Sequence, residues 1–161
     1  MQIPLALAAE VGELLKARGQ TIAVAESAAG GLMSAALLSV PGASAYFMGG
    51  AAIYTRRARR VLLGMGDQLP AGMVSATEPY ALFLARTARE RLATDWGLGE
   101  TGAAGPTGNS KGDPPGHACI AVVGPAGEKS RTVRTGNPDR AANMQAFTVA
   151  ALELLRECLK N

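Results

Sequence analysis

The stretch Thr21–Val40, TIAVAESAAGGLMSAALLSV, decides the architecture. Its first six residues form a short apolar run with a β-branched start, which reads as a buried strand. Small polar residues and two glycines follow, then an apolar run that Pro41 and Gly42 end, which is how a strand hands over to a helix through an approachable turn. Upstream, Leu5, Leu7, Val11, Leu14 and Leu15 recur at helical steps until Gly19 closes the segment. Downstream, AYFMGGAAIYT (45–55) predicts a strand weakened by its central glycines, and RRARRVLL (56–63) a short basic helix stopped at Gly64. TEPYALFLARTARERLATDW (77–96) predicts a helix with Thr77 as its cap and Glu78 and Pro79 in its first turn. The glycine- and proline-rich run 96–117 reads as one long irregular loop. HACIAVVGP (117–125) and KSRTVRTG (129–136) read as a hairpin, and the segment from Pro138 to Lys160 as a closing helix. Strands separated by helices, with one late hairpin, predict a single domain over residues 1–161, a three-layer α/β/α sandwich around a mixed sheet.

Composition narrows the classes. The 161 residues are 48% hydrophobic and 18% charged, which excludes a disordered chain. Aromatics supply only 4% against 20 glycines, so the layers are expected to approach through small side chains. A net charge of +3 is too small to imply nucleic acid. The basic run Arg56–Arg60 has no interleaved aromatics to stack bases and reads first as a solvated helix face. No apolar run spans a bilayer and the first residues lack a signal-peptide pattern, so a cytoplasmic location with no membrane partner is expected. Cys119 and Cys158, without CxxC spacing, are expected to be reduced thiols.

Sites in such sheets gather where strands hand over to helices. Three segments qualify: Glu26–Gly31, Ser44–Arg59 and Thr101–Gly116. The last is not a phosphate loop, because five places after Gly105 stands Ser110 where a glycine is required. No GxGxxG follows either of the first two strands. One histidine, His117, and Cys119 two residues on are a poor zinc set, and no metal or other cofactor is expected. A serine hydrolase here would need a base other than that histidine, and lysine is the known substitute.

Five stretches taken in order resemble the CinA carboxy-terminal domain family of competence/damage-inducible proteins: AESAAGG (25–31), VPGASAYFMGGAAIYTRRARRVLLG (40–64), GMVSATEP (72–79), TGAAGPTG (101–108) and PDR (138–140). Standalone members of that family are nicotinamide-nucleotide amidohydrolases, so the resemblance implies serine-dependent deamidation of a pyridine nucleotide by a homo-oligomer. It places the nucleophile on Ser44, with Tyr54 and Thr101 holding hydroxyl and substrate. Glu26, Ser27, Gly30, Gly31, Gly102, Gly105 and Arg140 fall on the substrate side. The family's lysine base falls on Arg59, and a guanidinium with a pKa above ~12 is a poor proton acceptor near neutral pH. Ala29 and Met144 are further departures from the family pattern. Lys111, the one lysine in any of the three segments, is the candidate substitute base. The alternative is a catalytically inactive homologue that binds a nucleotide or assembles with a partner. From the residues alone, Ser27 reads equally as a helix cap, Ser44 as a turn hydroxyl, Tyr54 as packing and Glu26 as a partner for turn amides.

Overall fold

Glycines that look like loop residues in the sequence are what let one helix lie directly on the sheet. In the computed structural model, which describes residues 2–66 and 68–161, the elements in chain order are α1 (Leu5–Arg18), β1 (Ile22–Glu26), α2 (Leu32–Leu38), β2 (Phe47–Ala52), α3 (Arg56–Leu63), α4 (Glu78–Leu92), β3 (Trp96–Ala103), β4 (His117–Gly124), β5 (Gly127–Arg134) and α5 (Arg140–Lys160). The five strands form one sheet in the order β2-β1-β3-β4-β5. β1 pairs parallel with β2 and β3, while β3–β4 and β4–β5 are antiparallel. The sheet is therefore mixed and the fold α/β, as expected.

Strand alternation sorts the residues into two faces. Ile22, Val24, Leu98, Ile120 and Val122 pack with Val11, Leu15, Phe147, Leu152 and Leu155 in the core under α1, α2 and α5. Ala23, Ala25, Cys119 and Ala121 face the other way, toward Leu84, Ala81 and Ala85 of α4. The side chains on that second face are small, and the reason is visible on β3. A Cβ added to Gly97 would lie 2.0 Å from the Ala85 carbonyl oxygen, and one on Gly99 would lie 2.2 Å from that of Ala81. Helix α4 lies against the β3 backbone itself.

This corrects the reading of 96–117 as one loop. Trp96–Ala103 is a strand, paired on both sides. Its glycines, which suppress β propensity in isolation, are required by helix contact. The irregular segment begins only after Ala103. Helix α4 also stops earlier than expected, at Leu92, with Ala93 in the left-handed conformation at φ 50°. β2 is shorter than its prediction because Ala43–Ala45 forms a turn of 3₁₀ helix before it.

Helix ends follow their chemistry. Thr55, Thr77 and Asp139 accept backbone N–H bonds at the starts of α3, α4 and α5. Gly19 and Gly64 close α1 and α3 with positive φ. Both cysteines are free. No helix among the described residues is long and apolar enough to cross a membrane.

Candidate functional site

After β1 the chain crosses to β2 on one side of it, then returns to β3 on the other. The connections therefore diverge at the carboxyl ends of β1 and β3, the place where open α/β sheets leave a crevice.

The floor of that crevice rests on two buried carboxyl groups of different character. Glu26, at the end of β1, accepts N–H bonds from Gly31, Met33 and Ser34 at 2.9–3.0 Å and the Ser34 hydroxyl at 2.6 Å. It caps α2, whose N-cap position is held by Gly31 without a side-chain bond. Ser27 therefore is not that cap. Its amide, with that of Ala29, donates instead to Glu100 Oε2 at 2.9 Å. Glu100 is fully buried, and its Oε1 has no hydrogen-bond partner among the described residues. Burial, against which the turn amides only partly compensate, pushes the Glu100 carboxyl up to about 7.

Above this floor is a cleft of about 320 Å³. Ser27 from the β1 turn, Tyr54 and Arg59 from the segment after β2, and Thr101 and Gly102 from β3 line it. Arg59 lies over the Tyr80 ring, 5.6 Å from its centroid, and donates to the Tyr80 hydroxyl at 2.5 Å. That phenol is pushed up by burial and drawn partly back by the guanidinium. The cation is thereby fixed in place at the wall of the cleft. Thr101 Oγ1 accepts from the Ala76 amide at 3.2 Å, and the Ala76 carbonyl lies 2.9 Å from His117 Nε2. Ala76 has φ 61°, so the 72–77 segment is held in a tight left-handed turn by partners on β3 and β4.

A second lobe of about 190 Å³ shares Tyr54, Gly102 and Asn109 with the first. Gly105, Thr107, Gly108 and Arg140 line it. Arg140 repeats the motif seen at Arg59: its guanidinium lies 5.6 Å from the Tyr54 ring centroid and donates to the Gly105 carbonyl at 2.9 Å. Each lobe thus has a guanidinium braced against a tyrosine. Two such cations, with hydroxyls between them, suit an elongated ligand carrying a planar or tetrahedral anion. No group of three or more metal-ligating side chains is assembled among the described residues.

Of the residues read from the sequence, the structure brings Ser27, Tyr54, Arg59, Thr101, Gly102, Gly105 and Arg140 to this double cleft. Glu26, Gly30 and Gly31 line neither lobe; Glu26 shapes the turn from beneath, and Gly30 faces Met144 Cε. Ser44 is also apart. It sits in the exposed 3₁₀ turn before β2, whereas the cleft lies beyond the other end of that strand, about 20 Å away along six residues at ~3.3 Å each. Ser44 lines neither lobe of the cleft that Arg59 walls. Tyr80, Ser75, Asn109 and Glu100 were not singled out in the sequence. Tyr80 sits on the inward stripe of α4 and reads as core, and Glu100 lies inside the run mistaken for a loop.

A family model described as the CinA C-terminal domain matches residues 5–159. The chain belongs to that family. Among curated CinA-like proteins, this CinA domain is 38% identical over 154 residues to one from Prochlorococcus marinus, covering 95% of the chain and 36% of the relative. It is 40% identical over 157 residues to one from Synechocystis, covering 96% and 38% respectively. The chain spans a little over a third of the length of these relatives. A solved competence/damage inducible protein CihA from Agrobacterium tumefaciens superimposes with TM-score 0.88 at 29% identity, over 100% of this chain and 98% of that one. A CinA superfamily protein from Klebsiella pneumoniae shares the fold at TM-score 0.90 and 24% identity, over 99% of both chains.

Proposed function

We propose that the double cleft binds a pyridine mononucleotide and that the domain hydrolyses its carboxamide to a carboxylate and ammonia. The observation carrying this reading is the convergence of Ser27, Tyr54, Arg59 and Thr101, from separate stretches of sequence, on one cleft continuous with the Arg140 lobe. A mononucleotide has an anionic phosphate at one end and a neutral planar amide at the other; one tyrosine-braced guanidinium suits the phosphate as a counter-charge, and the other can donate hydrogen bonds to the amide oxygen. Arg59 remains charged through the reaction. Its role is to hold the developing oxyanion or the phosphate as a fixed cation, not to accept a proton.

A second reading, binding without turnover, is favoured by one observation: the wall position that would hold an amine holds Arg59. The two readings part in one experiment. Calorimetry with nicotinamide mononucleotide measures binding, and an ammonia assay on the same mixture measures hydrolysis. Heat with ammonia supports the hydrolase, and heat without ammonia supports the binder. Neither heat nor ammonia removes both.

A further inference from the structure

Complementarity of charge selects between ligands of the same shape, and both lobes of the cleft carry charge of one sign. Among the described residues, Arg56 and Arg59 line the first lobe and Arg140 the second, and no Asp or Glu lines either. The carboxyls close by are committed elsewhere. Glu26 and Glu100, beneath the cleft, are fully buried and accept from amides of the turn after β1. Asp113 accepts from Asn109 and lines neither lobe.

The cations are also unspent. Among the described residues, Arg59 gives one N–H, to the Tyr80 hydroxyl, and Arg140 gives one each to the Gly105 carbonyl and the Tyr54 hydroxyl. A guanidinium has five N–H donors in a planar fork, so each keeps most of them for a ligand. Contact with a tyrosine ring holds each fork at its wall before any ligand arrives, which lowers the ordering cost of an ion pair formed there.

We propose that the form this cleft holds most tightly is the acid: a pyridine mononucleotide with a carboxylate in place of the carboxamide, one anion in each lobe. The proposal rests on the mononucleotide reading above and names the form that the site favours. A carboxylate takes a guanidinium fork through two parallel charge-assisted bonds, which a neutral amide oxygen does not. The amide form also brings a pyridinium cation among three guanidiniums with only its phosphate to offset them, whereas the acid brings one negative charge more. For a domain that hydrolyses the amide, the acid is then a product that leaves slowly and competes with the substrate. For a domain that only binds, the acid is the cargo.

The test is a ratio of affinities. Calorimetry compares nicotinate mononucleotide with nicotinamide mononucleotide on the full chain, in the wild type and in Arg59→Gln, Arg140→Gln and Arg57→Gln, each shown to be folded by its thermal midpoint. Where ammonia is released from the amide, the inhibition constant of the acid against the KM of the amide replaces the calorimetric pair. The acid is expected to bind about tenfold more tightly or better, the scale of one added charge-assisted contact. That advantage is expected to vanish in Arg59→Gln or in Arg140→Gln, whichever fork holds the carboxylate. It is expected to persist in Arg57→Gln, because Arg57 is exposed on α3 and lines neither lobe. A smaller advantage, one that survives in both cleft variants, or one reduced as much in Arg57→Gln overturns the proposal, the last result assigning the preference to the general field of the helix. Equal binding of the two forms overturns it and leaves the mononucleotide site standing. A tight acid with no ammonia from the amide supports it and removes hydrolysis. No heat with either form overturns both.

Discussion

The two ends of the sheet are built from similar residues and use them in opposite ways. At the amino end, Asp95 Oδ2 accepts from the Thr21 amide and hydroxyl at 2.8 and 3.0 Å, Trp96 Nε1 donates to Gln20 at 2.9 Å, and the Tyr46 hydroxyl donates to the Leu37 carbonyl at 2.5 Å. These polar groups close on each other. At the carboxyl end, Ser27, Tyr54, Arg59 and Thr101 line open space, and the bracing is done by Tyr80 on the cleft wall and, one layer back, by Glu26, Glu100 and His117. A hydroxyl or cation becomes available for chemistry when another residue carries the structural bond.

The largest effect removes both ends at once. Gly99→Val places side-chain atoms inside the Ala81 carbonyl and forces α4 off β3. A loss of about 4 kcal/mol or more is expected, seen as insoluble chain or a collapsed urea midpoint. A folded Gly99→Val would show that the helix and strand can separate without disturbing either end.

Next in size is the buried carboxyl under the cleft. Glu100 titrates at about 7 when folded, against an ordinary 4.5, so between those values the folded chain keeps a proton that the unfolded chain has lost. Stability from this group therefore falls as pH rises through that window and is level above it. Glu100→Gln has no such proton to lose. The stability difference between variant and wild type is expected to shift in favour of the variant by up to about 3 kcal/mol from pH 4.5 to 8, measured by urea unfolding. A constant difference would mean that Glu100 is already ionised at the low end of the range. At the amino end Asp95→Ala, which removes the acceptor for two bonds, is expected to cost about 2 kcal/mol and leave nucleotide affinity unchanged. Altered affinity in that variant would show that the two ends are coupled.

How far the site was legible follows the same division. Short apolar runs and helical spacing revealed most of the elements, because β1 is buried along its whole length and three helices start at ordinary Thr or Asp caps. β3 was hidden because its glycines answer to the Ala81 and Ala85 carbonyls, a contact between segments that no local pattern reports. Ser27, Tyr54, Thr101 and Arg140 were recoverable from motif order. Tyr80 and Ser75 were not, since one sits among core residues of a helix and the other in a turn whose shape depends on His117 and Thr101.

At the cleft wall, Arg59→Ala removes the braced cation and is expected to weaken nicotinamide mononucleotide binding about tenfold or more by calorimetry, the scale of a charged hydrogen bond. Undiminished binding would place the anion elsewhere, with Arg140 the first alternative.

The smallest effect is the most discriminating. Ser44 follows Pro41 and Gly42 in the same order as the nucleophile the family resemblance implies, yet it is exposed at the amino end of β2, and the strand between it and Arg59 pairs with β1 from Phe47 to Ala52 with one register shift at Met48. Moving it to the cleft would break that ladder and shift every β2 side chain to the wrong face, at a cost far above what one hydroxyl returns. Ser44→Ala is therefore expected to change stability by less than about 0.5 kcal/mol and to leave nucleotide binding and any ammonia release within twofold of wild type. If that one methyl-for-hydroxymethyl exchange abolished release while binding persisted, chemistry would belong to the amino end of the sheet, and the carboxyl-end cleft would be a binding site alone.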